Sequence, residues 1–298
     1  MGRDAPLFGA VANPTAAMTT GDFALGMIAA AIWGATYVVT AAALDRVPPI
    51  LFVVMRFSAA AIPAFFIPRP RMPWQTVVLA GLLLGAGQYG FLFFAMANGV
   101  PPGVAAVLFH TQAIIMVVLG AVLFSERIGR HQVLALALAL AGLIVLAFAR
   151  DSAKTVTALF LALAAALCGA AGNLLLRRIR SSDPLGLAVW MNTIPPLPLL
   201  ALSYWLEGPE AIAASFETVD LLVISAVLYS ALLATVAAFA VWGRLLGRYP
   251  VAKTAPFFLM VPVIALGSSA LLLGETMSLG KIIGAGLILA SLPVVQRQ

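Results

Sequence analysis

Apolar residues fill this chain in long runs that stop only at proline, glycine or charge. Ten such runs lie near 22–43, 48–67, 74–97, 101–124, 131–149, 156–176, 184–206, 220–243, 250–273 and 279–295. Each is roughly 18–25 residues long, which at 1.5 Å per residue spans the hydrocarbon core of a bilayer. The punctuation between them is Pro48-Pro49, Pro68-Arg69-Pro70-Arg71, Pro101-Pro102, Arg177-Arg178, Asp183-Pro184 and Tyr249-Pro250, residue types that interrupt helices. The pattern predicts an all-α integral membrane protein of about ten transmembrane helices.

The runs repeat. Displaced by 149 positions, Pro101 falls on Pro250, Leu123 on Leu272 and Glu126 on Glu275. Earlier residues match at an offset of 135, which places Gly34 on Gly169, Pro49 on Pro184 and Pro63 on Pro198. An insertion in the acidic loop between spans 7 and 8 accounts for the difference. The prediction is a cytosolic N-terminal tail, 1–21, then a five-helix repeat, 22–149, and a second five-helix repeat, 150–298. Five is odd, so the second copy enters the membrane inverted, as in alternating-access carriers.

Composition agrees. The chain is 63% hydrophobic and 9% charged, with mean hydropathy +1.07, far from the quarter charged residues usual in soluble domains. The net charge of +6 sits singly or in small groups at span ends, with no basic face interleaved with aromatics, so nucleic acid is not an expected partner. Arg3, Arg69, Arg71, Arg127, Arg130, Arg177, Arg178, Arg180, Arg244, Arg248, Lys253 and Arg297 fall on one side, against Arg46, Arg150, Lys154 and Lys281 on the other. The positive-inside rule then puts both termini in the cytoplasm. Cys168 is alone, so neither an intrachain disulfide nor a cysteine metal site is expected.

Several segments carry a family resemblance. AAIWGATYVV, PPILFVVMRF and LFSERIGRHQVLALALALAG resemble the first half of EamA-type members of the drug/metabolite transporter superfamily. WGRLLGRYPVAKTAPFFLMVPVIALGSSALLLGE resembles the matching second repeat. QYGFLFFAM, PPGVAAVLFHTQA and WGRLLGRY are similar to the bacterial exporters of cysteine and O-acetylserine. The resemblance implies a multi-pass inner-membrane exporter of amino acids or related small metabolites. The family pattern has a proline in span 4 of each half; here Pro262 fills it in the second half and Ala113 stands in the first, which argues against strictly symmetric gating.

Polar groups inside a bilayer are costly unless partnered, so they mark a chamber or a helix contact. Trp33, Thr36, Tyr37 and Thr40 share one face of span 1. Gln88 and Tyr89 in span 3, His110 and Gln112 in span 4, and Asn173, Trp190 and Tyr229 in spans 6 to 8 complete the candidate substrate-binding set. For each, packing or a hydrogen bond to a neighbouring helix is the competing role. A histidine side chain ordinarily changes charge near neutral pH, so the residue type of His110 suits proton coupling as well as a simple interhelical bond. Arg56 is the one full charge within a span; its guanidinium suits a carboxylate, while outward reach or bonds to backbone carbonyls make it a structural or gate residue, the role expected here. Glu126 and Glu275 precede the last helix of each half, where a carboxylate complements the helix dipole, as caps or as gates. Gly81-x-x-x-Gly85 and Gly280-x-x-x-Gly284 are close-packing signals, the latter at a candidate dimer contact. The chain is compatible with a monomer and with a homodimer.

No carboxylate occupies the centre of a span, and no pair of cations does. A permanent cation lacks a counter-ion there and a phosphorylated solute lacks neutralisation, so a small zwitterionic or neutral solute fits best. The alternative is a multidrug exporter of lipophilic compounds. An enzyme is not expected, since the two histidines, His110 and His131, lie at different depths and no phosphate loop is present; no cofactor is implied.

Overall fold

The computed structural model describes residues 18–97, 109–124, 129–148, 156–179, 181, 183–272 and 279–296. Among these the chain is helical, without strands. Helix α1 is Thr20–Leu44. Helix α2, Pro49–Ala61, continues into a 3-10 turn, Ile62–Phe65. Helix α3 runs through Trp74–Gly81, Leu82–Gly87 and Gln88–Ala97 without a break. Then come α4 (Gln112–Phe124), α5 (Arg130–Phe148) and α6 (Val156–Ile179). The predicted span 184–206 is two helices, α7 (Pro184–Met191) and α8 (Pro196–Leu206), separated by a turn. Helix α9 is Pro209–Thr218. Helix α10 joins Leu221–Leu228, Tyr229–Ala237 and Ala238–Arg248; α11 is Val251–Leu272 and α12 Leu279–Gln296. Among the described residues, five stretches are long and apolar enough to cross a membrane: Thr20–Leu44, Trp74–Ala95, Phe160–Ile179, Pro184–Leu206 and Leu221–Arg248.

Helix starts follow from local chemistry. The Thr19 side chain accepts from Asp22 N at 3.1 Å, Asp183 from Gly186 N at 2.8 Å and Asp220 from Val223 N at 3.0 Å, each capping amides that the helix leaves unpaired. Helix α2 begins at Pro48-Pro49 and has no cap of its own. Glu207, at the end of α8, supplies it by accepting from Ile50 N at 2.5 Å and Leu51 N at 3.0 Å. A carboxylate at a helix N-terminus is favourable. Gly208, at φ +83°, turns the chain into α9, a residue choice set by the left-handed region. Helix α9 is absent from the ten predicted spans and occupies the acidic loop where the repeat offset changes.

Packing between helices obeys the duplication. Helix α1 packs on α11 as α6 packs on α4, and α10 packs on α1 as α3 packs on α6. The contacts α2–α8, α4–α11 and α5–α12 each join equivalent helices of the two halves. Gly34 and Gly169, matched by the 135 offset, sit at equivalent close approaches. A Cβ at Gly34 would meet Ile264 Cγ2 of α11 at 2.5 Å, and one at Gly169 would meet Gln112 Oε1 of α4 at 2.2 Å. Small residues fill the interior, Ala29, Ala30, Ala80, Ala165, Ala231 and Ala234 among them, while Phe160, Leu197, Leu271 and Leu279 face outward. That arrangement suits a lipid solvent, where close backbone approach replaces hydrophobic burial as the source of helix association. Trp74, Tyr204 and Trp205 are exposed at helix ends, as expected of interfacial belt residues. The Gly81-x-x-x-Gly85 signal is an intrachain contact: a Cβ there would meet Met191 O at 2.3 Å and Pro195 Cγ at 2.1 Å.

Candidate functional site

Two segments midway along their helices wind as π-helix, Leu82–Gly87 in α3 and Tyr229–Ala237 in α10. Shifted by 149 positions, the first falls within the second, so the irregularity is itself duplicated. Single π-turns inside α-helices are frequent at functional sites, because they loosen the backbone hydrogen-bond ladder. In a membrane the loosened groups must find other partners. Side chains bond to this backbone in α10: Ala234 O accepts from Trp33 Nε1 at 2.8 Å, and Ser230 O accepts from the Thr235 hydroxyl at 2.7 Å. The Tyr229 hydroxyl donates across to Ile32 O of α1 at 2.9 Å.

The same Thr235 hydroxyl accepts from Arg56 Nε at 2.6 Å. Arg56 stands about 10 Å along α2 from Pro49 and is only 5% exposed. Its guanidinium carbon lies 5.0 Å from the Tyr89 ring centroid and 5.7 Å from that of Phe57. Tyr89 meets Phe57 edge-on at 5.3 Å and Phe109 at 5.9 Å, and Phe109 meets buried His110 at 5.4 Å. A charge this deep costs several kcal/mol to desolvate. One charged hydrogen bond returns about 1.5–3 kcal/mol, and each aromatic face about 0.5–2 kcal/mol. Among the described residues no carboxylate makes an ion pair with it.

A second polar centre joins α3, α4 and α6. Gln88 Nε2 donates to Gln112 Oε1 at 3.0 Å, with the two residues 2% and 1% exposed. Gln88 Oε1 and Gln112 Nε2 have no partner. Gly169 makes room for the pair, since a Cβ there would overlap both amides.

The remaining predicted residues are elsewhere. Trp33 is the centre of an aromatic cluster, with ring centroids 5.4 Å from Phe239, 5.8 Å from Trp242 and 4.9 Å from Phe258. Trp242 Nε1 donates to Asn173 Oδ1 at 2.6 Å, while Asn173 Nδ2 donates to Gly169 O at 2.8 Å. Trp190 donates to Ile67 O at 3.0 Å and meets Trp74 edge-on at 6.2 Å, beside the end of α2. Thr36 bonds Ile32 O of its own helix at 2.8 Å. Pro262 lies inside α11 together with Pro256. Glu126 and Glu275 lie outside the described residues, as do the side chains of Tyr37 and Ala113. Sequence reasoning missed Thr235 as the partner of the central arginine. It also missed Asp22, whose carboxylate accepts from the Tyr249 hydroxyl at 2.8 Å, Arg248 at 3.2 Å and Arg244 at 3.4 Å. The acid at the start of α1 and the basic end of α10 were its only signals. A groove beside that end is lined by Leu176, Ser181, Pro184, Leu187, Met191 and Phe239, and none of the candidate residues borders it.

The profile of the EamA-like transporter family matches residues 20–148 and again 156–295. The chain belongs to the EamA-like transporter family. Each match covers one half of this EamA protein, in keeping with the duplicated packing. It is 39% identical over 282 residues to a probable amino-acid metabolite efflux pump of Salmonella typhimurium, covering 92% of this chain and 94% of that one. A protein of the same description from Escherichia coli is 35% identical with the same coverage. A probable terminal-alkyne amino-acid exporter of Streptantibioticus cattleyicolor is 29% identical, covering 67% of this chain and 65% of its own. A chain of known crystal structure superposes with a TM-score of 0.75 at 21% identity, over 94% of this EamA chain and 99% of that one, which speaks to the fold alone.

Proposed function

We propose that the protein exports amino acids or related small zwitterionic or neutral metabolites across a bacterial inner membrane, by alternating access between its two inverted halves. The halves divide near residues 149–150, and both termini are cytoplasmic, a reading supported by the charge asymmetry of the loops. The carrying observation is the charge inventory at mid-depth: one arginine flanked by tyrosine and phenylalanine rings, two glutamines and one histidine, with no carboxylate. A cationic solute would be repelled there. The full-length similarity to two probable amino-acid metabolite efflux pumps supports the same solute class.

Tyr89, with Gln88, Gln112 and His110 behind it, forms the wall nearest the solute. Trp33, Asn173, Trp190 and Tyr229 hold the helices that carry this wall. The Gln88–Gln112 bond joins α3 to α4, and its unsatisfied amide atoms make it a contact that separating helices break at low cost. Counterflow in proteoliposomes with a panel of labelled amino acids, with and without a pH gradient, tests the proposal. Uptake driven by internal amino acid supports it. Uptake competed by lipophilic drugs and indifferent to every amino acid would replace it with multidrug export.

A further inference from the structure

Arg56 is bonded through Nε to Thr235, which leaves the two terminal nitrogens, the pair that grips a carboxylate side-on. Neither makes a hydrogen bond or ion pair with a described residue, and neither is among the fully enclosed polar atoms that lack partners. The residue itself is almost wholly buried. Ser230 Oγ is also enclosed and unpartnered, on the π-segment whose Ser230 carbonyl receives the Thr235 hydroxyl. An arginine serving only to brace a helix is expected to spend its fork on the backbone carbonyls or carboxylates of that helix. Arg56 instead spends one nitrogen on bracing, and among the described residues nothing pairs its fork.

We propose that Arg56 receives the carboxylate of the transported solute, held in position by Thr235 and by the rings of Phe57 and Tyr89. The π-segment of α10 then has a defined task. Its Ser230 carbonyl accepts from the Thr235 hydroxyl, which fixes the guanidinium, so movement of α10 is transmitted to the group that holds the solute. The ligand class is a small monocarboxylate, and selection falls against solutes whose carboxyl group is blocked. This inference rests on the amino-acid reading for the rest of the solute but not for its carboxylate.

The test compares wild type, Arg56→Gln and Arg56→Lys in two assays. In counterflow, the best-carried amino acid is competed by its own carboxamide. Wild type should prefer the acid by about 10- to 100-fold, the loss expected on removing a charged hydrogen-bond pair. Arg56→Gln should raise KM by a similar factor and lose the acid-over-amide preference, while Arg56→Lys keeps part of it. In thermal melts of detergent-purified protein, propionate should raise the midpoint of wild type and not of Arg56→Gln, and propionamide should raise neither. An unchanged acid-over-amide preference in Arg56→Gln overturns the assignment, as does equal stabilisation of both proteins by propionate. A purely bracing arginine would lower the midpoint in Arg56→Gln and leave every ratio untouched. If Arg56→Gln does not fold, Arg56→Lys must show a reduced ratio and a reduced propionate shift; wild-type values in that variant overturn the assignment equally. If no amino acid is carried but propionate still discriminates wild type from Arg56→Gln, amino-acid export fails and the carboxylate site stands.

Discussion

The Asp22 cluster gives a prediction whose size follows from geometry. Asp22 belongs to α1, while Arg244 and Arg248 belong to the end of α10 and Tyr249 follows it, so under the proposed alternating access the three contacts hold one face of the bundle shut. The carboxylate side chain is 4% exposed, whereas Arg244 and Arg248 are 47% and 55% exposed. Exposed partners are screened, and each such pair contributes about 0–1 kcal/mol. The buried Tyr249 bond to a charged acceptor contributes about 1.5–3 kcal/mol, only part of which survives when the charge is removed. Asp22→Asn keeps the shape and deletes the charge, so it should weaken the closed face by about 2–3 kcal/mol. The open population then rises roughly 30- to 150-fold, at about 1.4 kcal/mol per decade. Ala238, buried in α10, reports on opening once converted to cysteine in a Cys168→Ser background. The protein in nanodiscs, with both faces accessible, is labelled with a hydrophilic maleimide, and the rate is compared with and without Asp22→Asn. Acceleration of less than about 3-fold (under 1 kcal/mol), with the protein still folded, would refute the clamp. A lowered melting midpoint without faster labelling would do the same.

Trp33→Ala should cost about 3–5 kcal/mol, as for other large buried aromatics, and should reduce folded protein in detergent before it affects flux. Trp33→Phe, which keeps a ring among Phe239, Trp242 and Phe258 and loses the bond to Ala234 O, should cost about 1–3 kcal/mol; equal midpoints for Ala and Phe would contradict this packing. Gly85→Ala should destabilise by about 1–3 kcal/mol, because its Cβ falls 2.1 Å from the rigid Pro195 ring and the core is overpacked. Gly90→Ala, whose Cβ meets only leucine methyls at 3.5 Å, is the neutral control. Gln88→Leu strands Gln112 and should cost about 1–3 kcal/mol, while Gln88→Leu with Gln112→Met should recover most of it; a double variant as unstable as the two losses added would show that the amides are not partners.

The helical spans, the duplication and the placement of belt aromatics were legible because each leaves a one-dimensional trace: run length, offset and flanking charge. The 14-position change of offset even located the loop that α9 occupies. The candidate site residues were legible as residue types and not as an arrangement. Trp33 and Tyr89 look alike as aromatic residues at mid-span, yet the first is a packed post and the second faces the guanidinium. Spacing along a helix names a face, but only neighbouring helices decide what that face meets. The π-segments left no trace, since Leu82–Gly87 and Tyr229–Ala237 contain no residue type reserved for that winding. Thr235 was passed over for the same reason, as one threonine among several.

By itself, the amino-acid order determined that this protein lives in lipid, crosses it as helices and is built twice, because hydrophobic length and loop charge act locally and add along the chain. It also limited the solute, by leaving the middle of the membrane with one cation and no acid. The tertiary structure alone decided that Arg56 bonds Thr235 through Nε with no described residue pairing its fork, and that α2 takes its cap from Glu207. Both depend on groups 150 or more positions apart meeting within about 3 Å, and distances of that kind are set by how helices pack rather than by how residues follow one another.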